Sequence, residues 1–206
     1  MTLNLPNRIT LLRIAMIPVL VICAVQAREV PPLRWLALGI LLASLASDVL
    51  DGWLARRRGE TSRLGAFLDP LADKLLFTTL FVCLALPLWP GPAGAPPQRL
   101  LPLWVAVVAI SRDLYISLGA LVVFMATGGL HIRPSRCGKA ATAAFAALGV
   151  AALATGVPPA LLQALIWAVV VLAGITWIQY TLDGMRQLTH SHPPLSPSDS
   201  PTGTRA

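Results

Sequence analysis

The sequence predicts an all-α membrane protein of about six transmembrane helices. Three observations carry that prediction. The chain is 56% hydrophobic and only 12% charged, against a charged fraction of about 25% in ordinary soluble domains. Its mean hydropathy is +0.72. Its 206 residues divide into six apolar segments, at approximately 9–27, 33–55, 69–88, 100–125, 139–156 and 159–182. Each is close to the ~20 residues that a helix needs to cross the hydrocarbon of a bilayer.

Taken in order, the first segment follows Arg8 and contains Arg13 and Pro18. Val25-Gln26-Ala27 offers an acceptable signal-peptide cleavage site, but Arg13 and Pro18 interrupt the apolar run and cleavage would destroy the six-span layout, so a retained helix is expected. The second segment leads into a run of carboxylates and arginines from Asp48 to Arg58, and the third opens on Asp69. Residues 86–98, with Pro87, Pro90, Pro92, Pro96 and Pro97, are expected to form an extended loop. The fourth segment carries Arg112 and Asp113 at mid-length, and the fifth follows the basic stretch Arg133, Arg136, Lys139. The sixth ends shortly before Arg186. A single membrane domain over 1–188 is expected, with a disordered tail over 189–206 that is rich in Pro, Ser and Thr. There is no internal repeat.

Charge sets the expected orientation. Arg8 and Arg13, then Arg56, Arg57, Arg58 and Arg63, then Arg133, Arg136 and Lys139, then Arg186 all fall at one end of the predicted spans. The opposite connections hold Arg28, Arg34 and Arg99, and 154–160 holds no charge. By the positive-inside rule both termini and the carboxylate-rich connection are cytoplasmic, which suits an inner (cytoplasmic) membrane. The net charge of +7 then reads as attraction to anionic lipid and phosphate. It does not point to nucleic acid, because no soluble basic domain is present to bind it. Cys23, Cys83 and Cys137 are isolated, and His131, His190 and His192 form no ligand cluster.

The chemistry concentrates in 26 positions. They read Asp48-x-x-Asp51-Gly52-x-x-Ala55-Arg56, eight residues, then Gly65-x-x-x-Asp69-x-x-x-Asp73, and their four aspartates, with Glu60 in the gap, make five of the chain's nine carboxylates. A carboxylate at the centre of a membrane helix costs roughly 2.5–3.5 kcal/mol on insertion scales, so four demand compensating charge. Hard divalent cations such as Mg2+ take oxygen ligands and meet that demand. On a helix Asp48, Asp51, Gly52 and Ala55 share one face, and Asp69 and Asp73 share a face of a second helix. Gly52 and Ala55 leave the first face bare beside the carboxylates, which suits a bulky ligand approaching the backbone. Arg56 can meet a phosphate as a hydrogen-bonding fork, whereas Arg57 and Arg58 read better as a basic flank.

At these residues the chain resembles the CDP-alcohol phosphatidyltransferases, whose signature D-x-x-D-G-x-x-A-R, then G-x-x-x-D-x-x-x-D, is matched at every defined position. The resemblance extends in layout over roughly residues 4–188. Asn4-Leu5-Pro6-Asn7-Arg8-Ile9-Thr10-Leu11-Leu12-Arg13 looks like the short amphipathic N-terminal segment of the branch that makes phosphatidylglycerophosphate, and Gly65 to Lys74 looks like the same branch. The resemblance implies a CDP-linked lipid donor, usually CDP-diacylglycerol, with CMP leaving. It further implies two Mg2+ or Mn2+ ions on Asp48, Asp51, Asp69 and Asp73, with Asp73 also the catalytic base. Gly52, Ala55, Arg56 and Gly65 are then the CDP-lipid-binding positions, and a homodimer is expected.

The acceptor is less sharply indicated. The first half of the chain resembles enzymes that use glycerol 3-phosphate. Ser111-Arg112-Asp113 departs from that branch, and with Arg133-Pro134-Ser135-Arg136-x-Gly138-Lys139 it also resembles cardiolipin synthases, which use phosphatidylglycerol. Both acceptors carry a phosphate, and Arg112, Arg136 and Lys139 are the candidates to bind it. An arginine at mid-span needs a partner or a wet cavity, so a structural Arg112–Asp113 ion pair is the other reading. Lys74 reads as an anchor whose ammonium reaches the interface. Two further functions stand beside the enzyme. A divalent-cation transporter explains the carboxylates but not Gly52, Ala55 and Arg56, and a lipid-binding scaffold leaves an intact catalytic set unexplained.

Overall fold

The computed structural model describes residues 5–58, 63–91, 96–127 and 136–190. Within its helices the side chains of 5–10, 48–58, 63–71, 73, 120, 123, 124, 126, 127, 136 and 187–190 lie outside the description. The described residues form six helices: α1 (Leu5–Gln26), α2 (Leu33–Arg58), α3 (Arg63–Ala85), α4 (Leu103–Thr127), α5 (Arg136–Leu153) and α6 (Pro159–His190).

Each helix contains or overlaps one expected apolar segment, and most overrun it. Hydropathy marks where lipid-compatible side chains stop, but the backbone can keep its hydrogen bonds by staying helical. Thus α2 continues past Asp48 and Asp51 to Arg58, α3 begins at Arg63, and α6 runs on to His190. At the other end α3 stops at Ala85, since Leu86 precedes Pro87 and the α conformation is disfavoured there. The short amphipathic N-terminal segment is not separate. From Leu5 it is the first part of α1, which also runs unbroken through Pro18. Pro6 sits in the first turn, where its missing N–H costs nothing.

Among the described residues one helix, over Pro159–Arg186, is long and apolar enough to cross a membrane, with 28 residues at a hydropathy of 2.2. Shorter apolar stretches cover Leu11–Gln26, Leu33–Ser47, Lys74–Ala85 and Cys137–Leu153. The disordered tail expected over 189–206 falls, from residue 191, outside the described residues.

The helices pack around a core of Leu20, Leu41, Leu80, Leu84, Leu148 and Val169. α1 packs against α2 and α3, α5 against α2, α3 and α6, and α4 against α3 and α6. Phe81 meets Phe145 edge-on, with ring centroids 5.4 Å apart, so α3 and α5 are also joined by an aromatic pair. Gly149 brings three helices together. A Cβ there would lie 3.2 Å from Leu80 Cδ2 and 3.3 Å from Leu41 Cδ2, so the glycine lets leucines of α2 and α3 pack close against the α5 backbone.

Contacts between the helices fix their directions. Leu100 and Leu101 donate to Leu84 O, while Lys74 reaches Ser117; α3 and α4 are therefore antiparallel. Arg34, at the start of α2, donates to the carbonyls of Leu153 (2.8 Å), Ala152 (2.9 Å) and Ala154 (3.1 Å) at the end of α5. That makes α2 and α5 antiparallel. It also gives Arg34 a role that charge counting missed: its guanidinium satisfies the unpaired carbonyls and the negative end of the α5 dipole. At this same end the proline-rich connection folds back on itself. Trp89 and Gln98 exchange backbone hydrogen bonds of 3.3 and 3.0 Å, and the fully buried Trp89 donates its indole N–H to Cys83 O at 2.8 Å.

Candidate functional site

The motif occupies the halves of α2 and α3 away from Arg34. Asp48, Asp51, Gly52, Ala55 and Arg56 are helical on α2, and Gly65, Asp69 and Asp73 are helical on α3. Their side chains lie outside the described residues, but their backbone levels follow from the Gly149 contact. Leu41 and Leu80 are level there. Asp48 lies seven residues beyond Leu41 and Asp73 seven residues before Leu80. Since the two helices run in opposite directions, both offsets point the same way and equal about 10.5 Å at 1.5 Å per residue. Asp51 and Asp69 stand one turn further, ten and eleven residues from the same contact. The backbone thus brings Asp48 and Asp73, and likewise Asp51 and Asp69, within about one helical turn of each other along the bundle.

A polar layer crosses the bundle beside Asp73. Lys74 is half-buried and donates from Nζ to Ser117 Oγ on α4. Ser117 in turn donates to Asp113 O at 2.6 Å. Lys74 is therefore a tie between helices, not the free interfacial anchor expected. An ammonium next to a hydroxyl one helix away gains more than it would by stretching to solvent from mid-helix.

Arg112 lies in the same layer, 7% exposed. Its Nη1 meets Asp113 Oδ1 at 3.1 Å. Its Nη2 donates to Gly138 O at 3.3 Å and, at 3.4 Å, weakly to Thr142 Oγ1, and its guanidinium carbon lies 5.4 Å from the Phe145 ring centre. The Nε is buried with no hydrogen-bond partner. The ion pair is thus present, and the guanidinium also holds the first turns of α5. Of the other acceptor candidates, Lys139 is exposed one residue beyond Gly138, and Arg136 opens α5 with its side chain outside the described residues.

A residue that motif reading passed over completes the layer. On α6, Gln179 donates from Nε2 to Cys137 Sγ at 3.3 Å, while its Oε1 is buried with no partner. Its level is fixed by its neighbours. Tyr115 on α4 hydrogen-bonds Thr181 at 2.6 Å and stacks obliquely on Trp177. A lone glutamine in an apolar helix has no spacing signal to betray it.

Among the described residues no group of three or more His, Cys, Asp or Glu side chains could hold a metal ion; the four motif carboxylates are not among those side chains. The donor set nevertheless fits hard cations, because it is all carboxylate.

The profile of one family, described as CDP-alcohol phosphatidyltransferase, matches residues 3–176. The chain belongs to the CDP-alcohol phosphatidyltransferase family. Among curated relatives, the Bacillus subtilis CDP-diacylglycerol–glycerol-3-phosphate 3-phosphatidyltransferase is 36% identical over 136 residues, covering 61% of this chain and 64% of the relative. The Pseudomonas fluorescens protein of the same name is 34% identical over 141 residues, covering 66% and 63%. A Mycobacterium tuberculosis protein provisionally named a cardiolipin synthase is 31% identical over 143 residues, covering 69% and 61%. The chain therefore spans a little under two thirds of the length of these relatives. No solved structure matches it. For a member of the CDP-alcohol phosphatidyltransferase family, the carboxylates on α2 and α3 are the motif by which the chain resembles that family.

Proposed function

We propose that the protein transfers a phosphatidyl group from CDP-diacylglycerol to glycerol 3-phosphate, forming phosphatidylglycerophosphate and releasing CMP. The observation that carries this is the presence of the four-aspartate motif on α2 and α3, at similar levels along the bundle, in a chain of this family. The names of the Bacillus and Pseudomonas relatives favour glycerol 3-phosphate as acceptor.

Asp48, Asp51, Asp69 and Asp73 would hold two divalent ions, Mg2+ or Mn2+. When bound, such ions neutralise the diphosphate and stabilise charge on the departing CMP. Asp73 takes the proton of the acceptor hydroxyl. The hydroxyl oxygen bonds to the phosphatidyl phosphorus as the bond from that phosphorus to CMP breaks, with no covalent enzyme intermediate. Gly52 and Ala55 leave room for the nucleotide, Gly65 lets the backbone of α3 approach it, and Arg56 holds a phosphate. Arg112, Arg136 and Lys139 bind the acceptor phosphate at the start of α5, where the helix dipole adds positive potential.

All six helices cross the membrane in this reading, with both termini and the motif on the cytoplasmic side of the inner membrane. The large apolar side chains exposed along the outside of the bundle, such as Val107, Leu118, Trp167, Val171 and Ile178, support a lipid environment. The protein acts as a homodimer, as its resemblance implies. A second acceptor, phosphatidylglycerol, is favoured by Ser111-Arg112-Asp113 and by the Mycobacterium relative. Purified protein in detergent, given CDP-diacylglycerol and each acceptor separately, tests the choice. Product and CMP with glycerol 3-phosphate support the proposal; turnover with phosphatidylglycerol alone replaces it with cardiolipin synthesis.

A further inference from the structure

The first turn of α5 is clasped from two sides. Arg112 on α4 holds Gly138 O and Thr142 Oγ1, and Gln179 on α6 holds Cys137 Sγ. Each clasp leaves one buried polar atom without a partner, Arg112 Nε and Gln179 Oε1. Leaving such an atom unpaired costs roughly 1–3 kcal/mol, and more when the group is charged. One orphan beside a helix end is tolerable. Two that border the same turn offer partners to one ligand.

The levels agree. Tyr115 is three residues beyond Arg112 on α4, and its contacts to Trp177 and Thr181 bracket Gln179 on α6. Arg112 and Gln179 therefore stand within about one helical turn of each other along the bundle. The chemistry of the orphans is also specific. Arg112 Nε is a cationic donor and calls for an anionic oxygen. The free end of the Gln179 amide calls for a neutral group. A hydroxyl serves whichever way round the amide lies, because it both donates and accepts. A phosphate ester with a hydroxyl on a neighbouring carbon supplies both partners at once.

We infer that Gln179 is a specificity-determining residue for the acceptor, its amide binding the hydroxyl of the phosphorylated polyol that is not attacked, while the phosphate lies on Arg112. This rests on the reading of the protein as a transferase that uses glycerol 3-phosphate. In that acceptor the primary hydroxyl is the nucleophile, and the central hydroxyl is the group left for Gln179.

The test compares glycerol 3-phosphate with 3-hydroxypropyl phosphate, which keeps the phosphate and the primary hydroxyl but lacks the central one. Transfer from CDP-diacylglycerol is measured on the full chain in detergent, for wild type, Gln179→Met and Gln179→Asn, with Tm recorded for each. Wild type should favour glycerol 3-phosphate by about tenfold or more in kcat/KM, since a site built to hydrogen-bond a hydroxyl rejects the analogue without it. In Gln179→Met, which keeps length but cannot hydrogen-bond in this way, the preference should collapse to within about twofold. The loss should fall on glycerol 3-phosphate, with the KM for CDP-diacylglycerol unchanged. Gln179→Asn should fall between. A wild-type preference retained in both variants, or an equal loss on both acceptors with a lowered Tm, would overturn the assignment and leave Gln179 a packing residue. Failure of the wild type to use glycerol 3-phosphate at all would overturn the proposed function, and this assignment with it.

Discussion

Lys74 Nζ donates to Ser117 Oγ and so fastens α3 to α4 one residue beyond Asp73. The same serine passes a 2.6 Å hydrogen bond to Asp113 O, so the tie ends beside the Arg112–Asp113 pair. The position of the α3 backbone at Asp73 relative to Arg112 is thus set through a short polar chain and not by apolar packing alone. Ser117→Ala should lower stability by about 1.5–3 kcal/mol, the usual range for a hydrogen bond to a charged group. It should also lower kcat, with the KM for CDP-diacylglycerol little changed. Thermal unfolding in detergent and steady-state kinetics on Ser117→Ala and Ser117→Thr provide the check. Threonine keeps the hydroxyl and should restore most of both.

Removal of divalent ions should abolish turnover. Four carboxylates at similar levels repel one another unless cations lie between them. Excess chelator should stop CMP release, and Mg2+ or Mn2+ added back should restore it. Full activity in chelator would remove the metal role assigned to Asp48, Asp51, Asp69 and Asp73.

Asp48 and Asp73 should differ in function. Asp73→Asn would remove the proposed base while keeping an oxygen ligand, so kcat should fall by at least about 100-fold, the lower range for general-base loss. Binding of CDP-diacylglycerol should largely survive. Asp48→Asn should weaken metal and CDP-diacylglycerol binding together. Calorimetric titration of both variants with metal and donor separates these roles. Equal loss of donor binding in the two would show that the division is wrong.

The sequence made some of this site legible and hid the rest for physical reasons. Asp48 to Asp73 could be read because helical periodicity converts residue spacing into faces, and both stretches are helical. The similar backbone levels of Asp48 and Asp73 could not be read. They depend on Gly149, about a hundred residues further on, pressing against Leu41 and Leu80. Arg34 looked like a stray charge at the less basic end. Its partners are backbone carbonyls at the end of α5, and any sequence supplies carbonyls. Lys74 looked like an anchor because its partner is a lone serine on another helix. Ser44, Thr176 and Thr181 show how weak that signal is, since each hydroxyl donates to the carbonyl four residues earlier in its own helix.

The last prediction concerns Arg112, for which the sequence left two readings. The ion pair with Asp113 is formed at 3.1 Å, with the two side chains 9% and 27% exposed. Pairing does not exhaust the guanidinium, since Nε remains without a partner. Both roles should therefore appear, in different measurements. Breaking a buried pair costs about 3–5 kcal/mol, less where a partner is partly exposed as Asp113 is. Arg112→Ala and Asp113→Ala should each lower the unfolding temperature, and the double variant should recover part of the loss because no charge is then left alone. The kinetics should not follow stability. Arg112→Ala and the double variant should both raise the acceptor KM by about tenfold or more, the scale of a lost charge-assisted hydrogen bond. Asp113→Ala should change it far less, because the guanidinium keeps its hold on Gly138. Thermal unfolding and acceptor kinetics on the same three variants decide the matter. An unchanged acceptor KM in Arg112→Ala would confine Arg112 to a structural role and move the acceptor phosphate to Arg136 and Lys139.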